Sequence, residues 1–146
     1  MLKTEPQRKD FIDAILAERN TLANLIECLT NDQWHSPSLC VGWSVGEVVY
    51  HLIFADKWRW IPLRDVLVGR GPFRFMHKWQ QKEAKKGATE AIAALRSENL
   101  AFTARWGLGI GACGNYAEQL IHVEDIRRPL GILRDKPPPE QLVWPA

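Results

Sequence analysis

The chain has 146 residues, 46% of them hydrophobic and 25% charged, which suits one soluble globular domain with a sizeable core and excludes a disordered chain. Lys and Arg number 19 against 17 Asp and Glu, so a formal net charge of +2 argues against a nucleic-acid binder. The one basic cluster, "KEAKKG" at 82–87, reads as a solvated helix end.

"MLKTEPQRKD" is charged from its third residue and opens no apolar signal stretch. No uncharged apolar run reaches the ~20 residues that span a bilayer. A cytoplasmic protein without a membrane partner is expected. Cys28, Cys40 and Cys113 are an odd number without C-x-x-C spacing, so neither a disulfide framework nor a cysteine zinc site is indicated. The seven tryptophans read as core, with room for a homodimer at any apolar face left exposed.

Phe11, Ile12, Ile15, Leu16, Leu22, Leu25, Ile26 and Leu29 recur at helical spacing and predict a helix over about 6–29. "TNDQWHSPSLCVGW" at 30–43 has no period and is predicted as a loop. Ser44 with Glu47 forms the S-x-x-E capping box that starts a helix running toward Trp60 and ending by Gly69. "RGP" at 70–72 predicts a turn, and helical pattern resumes over about 73–86 until Gly87. A further stretch covers about 89–106. "GLGIGACG" at 107–114 reads as a glycine-rich connection, without the Lys-Ser/Thr ending of a phosphate loop. The last helix covers about 115–128 and stops at Pro129, before a proline-rich tail. No segment alternates like a strand. The prediction is all-α, with four main helices packed as a bundle.

Two sites place a glutamate four residues before a histidine, "EVVYH" at 47–51 and "EQLIH" at 118–122, one face of a helix in each case. His51 shares its face with Val48 and Phe54, so it reads either as a buried histidine bonded to a carbonyl or as a ligand. Glu118 and His122 share a face with Asp125 beside Ala117 and Ile121. A carboxylate there needs compensation, from Arg127, Arg128, a lysine or a metal. His51, Glu118 and His122 together make a His₂Glu set with an open fourth position, which suits zinc and also nickel, iron or manganese. A di-metal site that adds Glu47 is the rival, although the capping box already occupies that carboxylate.

"LTNDQWHSPSLCVGWSVGEVVYHL" followed by "YAEQLIHVEDIRRPLG" resembles the metal-binding domain of the mycothiol-dependent maleylpyruvate isomerases, within the DinB-like four-helix-bundle superfamily. The shared pattern is Pro-Ser-Leu-Cys, Gly-Trp-Ser-Val, an acidic residue and a histidine four later, then Glu-x-x-x-His with Asp-Ile-Arg-Arg and a Pro-Leu-Gly turn. The resemblance implies that His51, Glu118 and His122 bind a divalent metal, normally zinc. It also implies mycothiol or another small thiol as cosubstrate and a small electrophile as substrate. In the isomerases the thiolate adds to a conjugated double bond, lets it rotate and leaves; relatives are S-transferases. The whole chain, 1–146, is expected to be one such domain without the isomerase's C-terminal domain. A non-catalytic metal- or ligand-binding bundle is the alternative. No catalytic base is assigned.

Asp125 reads equally as the group that orients a ligand histidine or as a partner of Arg127, Arg128 or the loop. The two arginines read as charge–dipole and surface partners ahead of a carboxylate receptor. Cys40 and Trp43 are expected to pack the loop, and a nucleophilic cysteine would need a histidine nearby. His35 and His77 are expected at the surface.

Overall fold

The computed structural model describes residues 7–54, 71–97, 111–136 and 138, and within them the side chains other than those of 71–73. Six helices occur there: α1 (Arg8–Glu27), α2 (Asn31–His35), α3 (Val45–Phe54), α4 (Gly71–Ala84), α5 (Thr89–Arg96) and α6 (Gly111–Arg127). No strand is present among the described residues, only an isolated bridge between Pro37 and Ser44. None of these helices is long and apolar enough to cross a membrane.

The α1 period is as expected: Ile15, Leu22, Ala23 and Ile26 are buried, one or two turns apart or next to each other on a single stripe. α3 is the central element. Val45, Val48, Val49, Leu52, Ile53 and Phe54 are all buried, and α3 packs against α2, α4, α5 and α6. α1 closes the bundle against α5 and α6. On α3 only Glu47 and His51 are partly open to solvent.

Three expectations change. The stretch 30–43 is not all loop, because Thr30 and Gln33 form a capping box that starts α2: the Gln33 N–H donates to Thr30 Oγ1 at 3.2 Å and the Thr30 N–H to Gln33 Oε1 at 2.9 Å. Trp34 then anchors α2, 3% exposed, with Nε1 donating to the Ala84 carbonyl at the end of α4 over 2.8 Å. Gly71 and Pro72 belong to α4 and not to a turn; proline is tolerated at a helix start because its missing N–H would have no partner there. Residues 111–114 form the first turn of α6, where burial of Ala112 outweighs the poor helix propensity of glycine. The expected continuations of α3 toward Gly69 and of α5 toward residue 106 lie outside the described residues, as does most of the tail.

A buried and a partly buried cation hold the ends of the bundle. Arg19, 1% exposed, donates through Nε to the Leu95 carbonyl at 3.2 Å and through Nη2 to the Ala94 carbonyl at 2.7 Å. These carbonyls end α5, where the cap Ser97 N–H reaches Ala94 and no i+4 N–H follows among the described residues, so a cation suits them twice over. After α6 the chain reverses at Gly131 (φ +68°), where Ile132 N–H bonds the Arg127 carbonyl and Gly131 N–H the Arg128 carbonyl. That reversal lets Arg134 ion-pair with Glu18 of α1 and lie 3.6 Å from Glu124 of α6.

Candidate metal centre

The central helix and the last helix deliver the site. His51 is on α3; Glu118 and His122 are one turn apart on α6. Glu118 Oε2 lies 3.5 Å from His51 Nε2 and 3.2 Å from His122 Nε2. The two imidazole rings meet edge to face with centroids 4.7 Å apart. Their side chains are 19% and 17% exposed, that of Glu118 53%, so the cluster opens to solvent on the carboxylate side. This corrects the expected setting of Glu118: Ala117 and Ile121 beside it are exposed, and α6 turns Tyr116, Gln119, Val123 and Ile126 inward.

Asp125 decides the state of His122. Its Oδ2 is 2.9 Å from His122 Nδ1, so the Nδ1–H donates to Asp125 and the neutral ring carries its lone pair on Nε2. That lone pair faces the Glu118 oxygen, acceptor against acceptor, and only a proton or a metal cation between them makes the contact favourable. Burial disfavours a charged His122, but the hydrogen bonds to Glu118 and Asp125 outweigh it and its pKa is raised. The bonds from His122 and His51 hold the Glu118 carboxyl far below the usual carboxylate range. Buried His51 Nδ1 has no hydrogen-bond partner among the described residues. Two imidazoles and a carboxylate, with ligand atoms all within 4.8 Å of one another, thus fit a divalent cation in both donor type and charge.

A second cluster shares His122. Cys40 Sγ is 3.5 Å from His122 Nδ1 and donates to Asp125 Oδ2 at 3.2 Å. The histidine that a reactive Cys40 would need is therefore present. The thiol nevertheless stays protonated, pushed up to about 12 by burial first and by its bond to Asp125 second. Both clusters have the spacing for a cation, but the thiol of the first already donates to Asp125, which leaves His51, Glu118 and His122 as the candidate metal set.

The loop before α3 builds the wall of the site. Ser38 Oγ accepts from Cys40 N–H at 3.1 Å and donates to the Trp43 carbonyl at 2.8 Å, and Gly42 turns the chain at φ +81°. Leu39 N–H donates to the Asp125 carbonyl at 3.1 Å and ties the loop to α6. Trp43 consequently lies over His51, centroids 5.1 Å apart, and stacks on His77 at 6.1 Å. His77 is half-buried against Trp43 and not the surface residue expected; His35 is exposed as expected. Glu47 accepts from the Ser44 N–H at 2.7 Å and belongs to neither cluster, so the capping role holds and the di-metal set gains no support. Arg128 pairs with Glu124 at the surface, but Arg127 is buried, 4% exposed, against expectation.

The family model of the mycothiol maleylpyruvate isomerase N-terminal domain matches residues 15–108, well over half of the chain. The chain belongs to this family. The match to the mycothiol maleylpyruvate isomerase N-terminal domain includes His51, Cys40 and Trp43; Glu118, His122 and Asp125 lie beyond it and join the site through the packing of α6 on α3. No curated protein and no solved structure matches the chain.

Proposed function

We propose that this domain binds a divalent metal, zinc in the first place, through His51, Glu118 and His122 and uses it to activate a low-molecular-weight thiol, mycothiol by family, toward a small electrophile. The observation that carries this reading is the Glu118 oxygen set between two imidazole Nε2 atoms at 3.5 and 3.2 Å, with the lone pair of His122 directed at it. A bound metal supplies the charge that keeps a thiol ionised at neutral pH.

The residues of the chain supply the rest. Asp125 holds the His122 tautomer, and Glu118 offers a carboxylate from the solvent side, where thiol and electrophile enter. Trp43 gives an apolar wall beside His51. Cys40, held protonated by burial and by its bond to Asp125, is a donor in the wall and does not compete as a nucleophile. In the isomerisation reading, the thiol sulfur adds to a conjugated double bond, the resulting single bond rotates, and the sulfur leaves with the double bond restored. In the transferase reading, sulfur stays as a thioether and the electrophile gains a proton from solvent.

Elemental analysis of wild type beside His122→Ala tests the metal, and thiol transfer from mycothiol to an electrophile panel that includes maleylpyruvate tests the chemistry. Stoichiometric metal lost in the variant, with transfer lost alongside, is expected. A variant with undiminished thiol transfer would sink the proposal.

A further inference from the structure

On the far side of α6 from the metal centre, a cavity of about 480 Å³ opens between α1, α2 and the segment that follows α6. Arg127 lines it, five residues beyond His122 and so roughly 140° round the helix. Among the described residues its guanidinium donates only through Nη1, to the Leu133 carbonyl at a long 3.4 Å, while Nε has no acceptor. Asp135 also lines the cavity but forms no ion pair with Arg127, and neither does any other described carboxylate. An arginine cannot lose its proton, so a residue only 4% exposed whose guanidinium has no counter-charge among the described residues calls for an anion.

We infer that this cavity binds a small organic monocarboxylate with an apolar body, held by Arg127. Leu25, Leu29 and Ile132 supply apolar walls, and the volume falls within the range of small-molecule pockets. A planar carboxylate matches the guanidinium fork. The exposed carboxylate of Asp135 at the rim repels a dianion more than a monoanion, which favours a carboxylate over phosphate.

Cys28 is an exposed free thiol on the same lining and reports on occupancy. The protein is alkylated with iodoacetamide in rising benzoate at constant ionic strength, and modification of Cys28, Cys40 and Cys113 is followed by mass spectrometry. Benzoate is expected to slow Cys28 alone and saturably, about tenfold at ten times a Kd of roughly millimolar order. Arg127→Gln abolishes this protection, and His122→Ala preserves it, which separates the cavity from a carboxylate bound at the metal centre. Should Arg127→Gln fail to fold, Thr21→Asp, an exposed change on the same lining, decides: it weakens protection about threefold by like charge. Alkylation of Cys28 at one rate whatever the benzoate, protection that survives Arg127→Gln, or equal protection by inorganic phosphate would overturn the inference.

Discussion

One oxygen of Asp125 serves both the proposed ligand His122, 2.9 Å away, and the thiol of Cys40, 3.2 Å away, while the Asp125 carbonyl holds the loop through Leu39. A single residue thus couples the orientation of a ligand on α6 to the loop that carries Trp43 onto His51. Asp125→Ala is expected to leave the helical fold intact and to weaken metal affinity about 10–100-fold. Competition with a chromophoric chelator measures this, and unchanged affinity would show that His122 needs no such partner.

Glu47 is a structural carboxylate. Its Oε2 and Ser44 Oγ each satisfy a backbone N–H at the start of α3, over 2.7 and 3.3 Å. Ser44→Ala and Glu47→Ala are each expected to lower stability by about 1 kcal/mol in urea titrations, with metal stoichiometry preserved. Metal loss in Glu47→Ala at full folding would revive the di-metal arrangement.

Gly46 is where α2 and α3 touch. A Cβ at this position would sit 2.5 Å from Trp34 Cε2 and 2.7 Å from Nε1, and the indole is held by its bond to the Ala84 carbonyl. Gly46→Ala is therefore expected to destabilise by about 1–3 kcal/mol, despite the better helix propensity of alanine. A denaturation midpoint at or above that of wild type would mean that Trp34 can swing clear.

Metal-free protein should show a stability maximum in mildly acidic solution. The raised pKa of His122 contributes stability that is complete below the ordinary imidazole value of 6.5 and is lost as pH rises through the raised one. The depressed pKa of Glu118 contributes stability that is complete above the ordinary carboxyl value of 4.5 and is lost as pH falls through the depressed one. Melting of chelator-treated protein is thus expected to peak between pH 4.5 and 6.5 and to fall on the alkaline side, with His122→Gln flattening that side. A melting temperature that climbs steadily above pH 6.5 in wild type would contradict the assignment.

Short-range physics was open to reading in the sequence. The stripe of Ile15, Leu22 and Ile26, the Ser44–Glu47 box and the one-turn spacing of Glu118 and His122 each depend on residues a few positions apart, where helix geometry alone sets who faces whom. The Thr30–Gln33 box was equally local and would have revealed α2; the proline and glycine around it obscured the signal. What only the tertiary structure decided is which distant groups meet. Cys40 reaches His122 and Asp125, and Trp43 covers His51 and His77, because a loop folds back on a helix some eighty residues further along the chain. Arg19 and Arg127 look like surface residues by type, yet both are buried. The carbonyls that stabilise Arg19 belong to another element, and the cavity that Arg127 lines without a counter-charge among the described residues exists only once α1, α2 and α6 have packed. A sequence states which charges a chain carries; their solvation, and so their chemistry, follows from the packing around them.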